Sequence, residues 1–227
     1  MIERYKRNAN KGFSLVELLV IIAIISILAC SITLAVLRYI ESGRQAMDVY
    51  NASLIKDAMN TYTFPSDFQG RDMEYTDPET GAKEMFKRGW VYVDKNEIRC
   101  SDQSTALAMI EFGLVNVSPE FEANLRANEE EKTKWFPSGP DGDFIRRTGI
   151  DEYAFKNGLT VKARRTWNTY QLDVYIDHDG QLYMGASASN AIRTGGHAKD
   201  EETAKLFAKK LGFFYAQVTP IGEQEGY

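Results

Sequence analysis

The chain has 227 residues, a formal net charge of −5 and two cysteines. This length allows one large or two small domains, and the acidic balance argues against broad electrostatic binding to DNA or to anionic lipid. A disulfide between Cys30 and Cys100 is not expected, because Cys30 stands in an apolar run and Cys100 in the soluble part of the chain. The stability of the soluble part must therefore come from its core.

The first predicted element is an apolar run behind a short basic leader. Leu18–Leu37 contains 20 residues without a charge, the length that an α-helix needs to cross the ~30 Å hydrocarbon core of a bilayer. Positive charges lie before the run, so the N-terminus is expected in the cytoplasm and the chain after Arg38 outside. One acid, Glu17, stands just before the run within hydrophobic sequence. An acid at membrane depth costs roughly 2.5–3.5 kcal/mol and suggests a function.

Three interpretations compete for this segment. The first is a signal anchor that tethers a domain outside the cytoplasm. The second is a cleaved signal peptide, and Ile27–Cys30 faintly resembles a lipoprotein processing site. The apolar pattern continues beyond Cys30, however, where a lipoprotein turns polar, and an acid inside the hydrophobic region is unusual for a signal peptide. The third interpretation accounts for the glycine and the acid together.

The segment Gly12-Phe13-Ser14-Leu15-Val16-Glu17 resembles the processing site of type IV prepilins and of the related pseudopilins. The resemblance covers roughly Lys11–Leu37 and is specific, because glycine, phenylalanine, acid and apolar run must all fall in register. It implies that a prepilin peptidase cuts after Gly12 and methylates the new N-terminal amine on Phe13. It also implies that Glu17 meets the amine of a neighbouring subunit as a filament grows. The implied partners are that peptidase, other pilin subunits, the pilus assembly machinery and the membrane.

The spacing fits this chemistry. Cleavage would create a positive amine on Phe13, and Glu17 lies four residues on, one helical turn away. An unpaired ion in apolar surroundings costs several kcal/mol, so Glu17 is expected to set the height at which a subunit enters a filament. One departure from the family is the absence of proline and glycine from Leu18–Leu37, which makes Gly43 the first candidate hinge.

The predicted layout has three parts. A leader occupies residues 1–12, and a long helix occupies residues 13–64, transmembrane over about 15–37 and amphipathic over 38–63. Phe64-Pro65 should end the helix, because the residue before proline is pushed out of the helical region. Residues 65–227 should form an extracytoplasmic α+β globular domain. The apolar face predicted for its second half is a stripe of Met47, Tyr50, Leu54 and Ala58, flanked by Ile55, Met59 and Tyr62.

The globular part mixes helix and strand patterns, and the expected fold class is α+β, a long N-terminal helix packed on a C-terminal antiparallel sheet with inserted helices. Turn signals predict a surface loop over Ser66–Lys83. Cap signals predict helices after Asp102 and Ser118, the second running to about Lys134 and both before the main sheet. The remaining predictions are strands over 89–93, 159–165, 170–176, 181–186 and 213–218, and a helix over 200–211.

No constellation of residues predicts catalysis. The two histidines, His178 and His197, stand beside turn residues, and no nucleophile motif is recognisable. Asp177 and Asp179 with Gly180 are weak candidates for calcium, which some pseudopilins bind, but the later acidic ligand is missing and a hairpin turn is the simpler interpretation. No cofactor is otherwise expected. Two arginine pairs, Arg146-Arg147 and Arg164-Arg165, are weak support for DNA binding on an acidic domain.

The sequence therefore predicts a structural subunit and not an enzyme. It would be held in the cytoplasmic membrane by a single pass with its N-terminus inside, and would then enter a pilus or pseudopilus outside. Pilus, secretion and DNA-uptake systems share the motif, so the choice among these three systems stays open. The alternative is a membrane-anchored extracytoplasmic binding or sensor domain that does not assemble.

Overall fold

The computed structural model describes residues 13–62, 71–76, 81, 83–127, 140–147, 150–176, 179, 182–189 and 201–215. The chain divides into two compact units after Ser42. A single helix, α1, spans Leu15–Tyr62. It confirms the expected long N-terminal helix, and the predicted stop at Phe64-Pro65 lies outside the described residues.

Among the residues that the structure describes, the second unit contains one sheet and three further helices. The sheet has eight strands in the order β4-β5-β3-β2-β6-β7-β8, with β1 paired to β2. All pairs are antiparallel except β7 with β8. The strands are β1 Arg71–Thr76, β2 Lys83–Val93, β3 Ile98–Cys100, β4 Gly142–Arg147, β5 Ile150–Phe155, β6 Thr169–Ile176, β7 Leu182–Ser189 and β8 Phe214–Tyr215, and the helices are α2 Gln103–Glu111, α3 Pro119–Ala127 and α4 Glu201–Leu211. The α+β fold class is confirmed.

One face of the sheet carries the core. Alternate residues of β2 and β6, such as Val91, Leu172 and Val174, are fully buried, because successive side chains of a strand point to opposite faces. An aromatic cluster joins this face to α4. The Phe207 ring lies 5.2 Å from the Trp167 ring and 5.3 Å from the Tyr170 ring, between centroids. Trp167 therefore belongs to the core, whereas Trp90 is only half-buried.

The buried stripe of α1 differs from the predicted one. Met47 is 50% exposed and Tyr50 is 58% exposed, so neither faces the core. Ala58 is buried as predicted, and Leu54 is half-buried. The stripe that packs on the sheet is rotated, and its members are Asp48, Ala52, Ile55, Ala58 and Met59, all fully buried. The hydrophobic pattern predicted the wrong face of α1, because an acid, Asp48, lies inside the core while a methionine and a tyrosine lie outside it.

Asp48 also explains why the strand predicted over 159–165 is wrong. The carboxylate of Asp48 accepts hydrogen bonds from the backbone N–H of Lys162 at 2.7 Å and of Ala163 at 2.9 Å. It also accepts one from the Trp167 indole nitrogen at 2.9 Å. Backbone donors must find an acceptor when buried. Here the acceptor is a side chain of α1, so the segment stays out of the sheet.

Other differences concern the order and extent of elements. The loop predicted over Ser66–Lys83 contains β1, and the sequence reasoning did not propose β4 or β5. Asp102 caps α2 as predicted, with its side chain accepting from the Thr105 N–H. Helix α3 starts as predicted at Pro119 but ends at Ala127 rather than near Lys134. Both helices lie between β3 and β4, so they are inserted within the sheet sequence and not before it.

The other face of the sheet carries a buried polar layer. Arg88 donates to one carboxylate oxygen of Asp173 from Nε at 2.9 Å and from Nη2 at 2.6 Å. Gln171 donates to the same carboxylate. Burial raises the pKa of Tyr175 to about 12, with the nearby Asp173 charge adding to the effect. Burial likewise raises the pKa of Tyr92 to about 12.

Candidate functional site

The first turn of α1 is closed by a reciprocal pair of hydrogen bonds. The Ser14 N–H donates to the Oε2 atom of Glu17 at 2.9 Å, and the Val16 N–H donates to the Ser14 Oγ at 3.2 Å. The Leu18 N–H donates to the Ser14 carbonyl at 3.1 Å, so Ser14 is the N-cap and Glu17 the third helical residue. This arrangement is a variant of the capping box: the glutamate bonds back to the N-cap N–H, but the serine hydroxyl accepts from the second helical residue and not from the third, and together they satisfy two backbone donors that the helix leaves open.

Sequence reasoning missed this role of Glu17. The spacing of the box, Ser14-Leu15-Val16-Glu17, was readable in the sequence. The carboxylate also lies at the positive end of the helix dipole, which favours an anion there. A carboxylate has two oxygens and about four acceptor positions. The hydrogen bond from Ser14 therefore leaves Glu17 able to accept from an ammonium group as well.

Around this first turn the helix presents an apolar surface. Phe13 is 79% exposed, and every side chain from Phe13 to Ile40 is exposed. Of the residues that the structure describes, α1 is the one helix long and apolar enough to cross a membrane, judged by length and composition, and it lies near the N-terminus. An exposed apolar surface of this size is typical of a segment that contacts lipid or other proteins.

The hydroxyl groups within the apolar run are satisfied inside the helix. Ser26 donates to the Ile22 carbonyl at 2.7 Å, and Thr33 donates to the Ala29 carbonyl at 2.6 Å. Ser31 bonds in the same way to the carbonyl four residues earlier. Such back-bonding removes the donors that would otherwise be unsatisfied in hydrocarbon. The run is therefore compatible with an apolar environment despite its three hydroxyls.

Most of the remaining predicted site residues lie outside the part of the chain that the structure describes. Gly12, on the leader side of the expected cut, lies outside the described residues, as do Asp177, His178 and His197. Asp179 is exposed in the turn between β6 and β7. Within the described ranges there is no group of three or more histidine, cysteine or acidic side chains that could hold a metal ion. Phe13 and Glu17 remain the two described residues of the expected processing and assembly site.

The family comparison matches the N-terminal segment. Residues 7–29 match the family described as the prokaryotic N-terminal methylation motif. No curated protein and no solved structure matches the chain. The match includes the expected cut between Gly12 and Phe13, the residue Glu17 and the first turns of α1. The long helix followed by an antiparallel sheet has the layout of the pilin fold. The chain therefore carries the prepilin-type cleavage and methylation motif of type IV pilins and pseudopilins.

Proposed function

We propose that this chain is a prepilin that is cut after Gly12, methylated on Phe13 and assembled through α1 into a pilus or pseudopilus. The mature subunit would then begin at Phe13. It acts as a structural subunit, and its processing is the work of a separate peptidase. The observation that carries the proposal is the methylation motif over residues 7–29 in register with the start of an exposed apolar helix.

The capping box adds a mechanism to this proposal. In the precursor, Glu17 accepts the Ser14 N–H at 2.9 Å and closes the first turn. Hydrolysis of the peptide bond after Gly12 gives a free amine on Phe13, one residue before Ser14. In lipid, this ammonium and the Glu17 carboxylate each need a partner. Within one chain they can satisfy each other, and in a filament each can pair with a neighbouring subunit.

Intact mass of the full chain, purified from the membranes of a cell that has a prepilin peptidase, tests the processing step. The expected mass lacks residues 1–12 and contains one additional methyl group. Retention of the leader, or a lipid on Cys30, would contradict the proposal and favour a membrane-anchored binding or sensor domain. Deletion of the peptidase is the control, since it should leave the leader in place.

Substitutions at Glu17 separate the charge from the helix cap. Glu17→Gln keeps an acceptor oxygen for the Ser14 N–H, because glutamine also serves in a capping box, but it removes the negative charge. Glu17→Ala removes both. If the carboxylate pairs with an amine, both variants should be processed normally and both should fail to enter filaments.

The matched control is Ser14→Ala, which removes the hydroxyl cap and keeps the acid. It should weaken the first turn by about 1 kcal/mol and still allow assembly. Measuring the filament fraction sheared from cells, with the membrane fraction as reference, compares the three variants. Normal assembly of Glu17→Gln would refute the role assigned to the charge.

A further inference from the structure

The side of the sheet opposite the core is built from polar side chains that are buried. The described helices contribute to the core on the other side, through residues such as Ile55, Phe121 and Phe207. The opposite side, which we call the polar face, carries polar side chains that are only 0–9% exposed: Arg88, Arg99, Glu152, Gln171, Asp173 and Ser187. Burial of polar groups costs free energy unless they find hydrogen-bond partners, so each member of this layer needs a partner.

The charged members of the polar face are paired with one another. Arg88 binds Asp173, with 2.6 Å between Nη2 and Oδ1. Arg99 binds Glu97 at 2.6 Å and Glu152 at 3.3 Å. Both arginines whose side chains are described on this face therefore have carboxylate partners. A charged ligand would have to break one of these buried pairs, which is strongly unfavourable, so the polar face favours an uncharged ligand.

One member of this layer carries an acceptor without a donor. Gln171 is 3% exposed, and its Nε2 atom donates to the two carboxylate oxygens of Asp173 at 3.0 and 3.2 Å. Among the described residues, the Oε1 atom of Gln171 receives no hydrogen bond. Turning the amide over would not satisfy it, because its oxygen would then face an ionised carboxylate, which only accepts. A buried acceptor in this position calls for a donor from outside the described residues.

The strand register gives the neighbours of this acceptor on the polar face. Gln171 pairs with Tyr92 of β2 and with Ser187 of β7, and residues directly opposite each other have Cβ atoms about 4.5–5.5 Å apart. Two residues along β6, Asp173 pairs with Trp90. Trp90 and Tyr92 are half-buried, so each keeps part of its surface exposed. The Gln171 acceptor and the Ser187 hydroxyl therefore lie beside two partly exposed aromatic side chains.

We propose that the polar face binds an uncharged saccharide beside Gln171. A sugar hydroxyl can donate to the Gln171 Oε1 atom and accept from the Ser187 hydroxyl at the same time. The C–H groups of the sugar ring can pack on Trp90 and Tyr92, whose rings are apolar bodies with a polar tip. Ligand sites commonly combine aromatic walls with a few well-placed polar groups in this way. Because Gln171 is 3% exposed, the ligand reaches it when the partly exposed ring of Tyr92 turns aside.

A saccharide fits this face better than a peptide segment of another copy. Each sugar hydroxyl is both a donor and an acceptor, which matches one acceptor without a donor next to one hydroxyl. A peptide would bring a backbone N–H and a C=O for nearly every residue, and each of these needs a partner when buried. The charged groups of the polar face are already bonded to one another, so they offer little to a peptide backbone.

Titration of the full chain with two neutral hexasaccharides tests the site. The probes are maltohexaose and chitohexaose, and the chain is kept in a zwitterionic detergent, because a detergent with a sugar headgroup would compete. Calorimetry measures binding, and tryptophan fluorescence reports a change around Trp90. We expect saturable binding of at least one probe. The Trp90→Phe variant should still bind by calorimetry and should lose most of the fluorescence change.

Two variants remove the proposed hydrogen bonds. Gln171→Leu keeps the size of the side chain and removes the amide, whereas Ser187→Ala removes one hydroxyl and leaves the bonds between Gln171 and Asp173 in place. We expect the dissociation constant to rise about tenfold for Gln171→Leu and about fivefold for Ser187→Ala. The matched control is Gln103→Leu. Gln103 is also buried with an Oε1 atom that accepts from no described residue, but its amide donates to the Leu125 carbonyl at 2.6 Å, away from the polar face.

The supporting result is binding that both polar-face variants weaken and that Gln103→Leu leaves unchanged. Urea unfolding checks that each variant is folded, and Ser187→Ala decides the outcome if Gln171→Leu is not. Absence of binding of both probes to the unmodified chain at about 10 mM would overturn the inference. Equal weakening by Gln103→Leu would also overturn it, because the effect would then be a general loss of stability.

A contact between copies would give a different result. The fluorescence change would then follow the concentration of the chain instead of that of the saccharide, and this outcome would overturn saccharide binding. The assay needs neither leader cleavage nor entry into a filament. Its result therefore stands apart from the proposed function, which the mass of the processed chain tests separately.

Discussion

Replacing Asp48 should destabilise the globular unit more than any ordinary acid-to-alanine change on α1. Asp48 is fully buried. Its carboxylate accepts from Lys162 N–H, Ala163 N–H and the Trp167 indole at 2.7–2.9 Å. These three bonds fix the segment before β6 against the helix. The change Asp48→Ala removes the acceptor and leaves the donors in place.

The size of the effect follows from these contacts. A buried donor without a partner costs about 1–3 kcal/mol, and three donors are affected. Part of this cost is offset, because removing a buried carboxylate also removes its own desolvation penalty. The expected net decrease in the free energy of unfolding is about 3–5 kcal/mol. Asp48→Asn keeps one acceptor oxygen and should cost about 1–3 kcal/mol.

The measurement is urea unfolding of the full chain in detergent, followed by tryptophan fluorescence. Trp167 reports directly, because it is buried beside Asp48. The matched control is Asp57→Ala on the exposed side of the same helix, for which we expect a change within about 0.5 kcal/mol. A double-mutant cycle with Trp167→Phe isolates the indole bond. Equal stability losses for Asp48→Ala and Asp57→Ala would refute the reasoning.

Two further predictions use groups whose titration the fold changes. Burial raises the pKa of the Cys100 thiol. In a Cys30→Ala variant, Cys100 should therefore resist a charged alkylating reagent until urea unfolds the chain. Rapid labelling of Cys100 without urea would contradict its burial. For Tyr92 and Tyr175, the folded pKa of about 12 lies above the unfolded value of about 10. The unfolded state therefore releases these protons first, and the free energy of unfolding should fall as pH rises from about 10 to 12, by at most about 2–3 kcal/mol for each tyrosine. Replacing either tyrosine with phenylalanine should make this fall shallower, and an unchanged slope would count against the shift.

Much of the N-terminal segment was readable without coordinates. The apolar run, the glycine before Phe13 and the position of Glu17 are linear patterns, and their meaning depends only on residue order and spacing. The start of α1 and the cap of α2 at Asp102 are equally local, because a cap is formed by a side chain and a backbone group three residues apart. Local hydrogen bonds of this kind can be predicted from the order of the residues.

The buried stripe of α1 was not readable in the same way. Its pattern contained Met47 and Tyr50 at helical spacing, which ordinarily indicates a core face. The structure instead buries Asp48, and the partners that make this burial possible are more than 110 residues away in the chain. A rule that considers only neighbours in sequence predicts that an acid such as Asp48 is exposed, because the distant groups that donate hydrogen bonds to it are not part of the local pattern.

The sequence alone determined the membrane-length helix, the processing motif at Gly12-Phe13 and the α+β class, since each depends on composition and local order. Only the tertiary structure decided which side of α1 is buried and why residues 159–165 do not join the sheet. The physical reason is the same in each case: burial and electrostatic pairing depend on contacts between residues that are distant in sequence, and these exist only once the chain has folded.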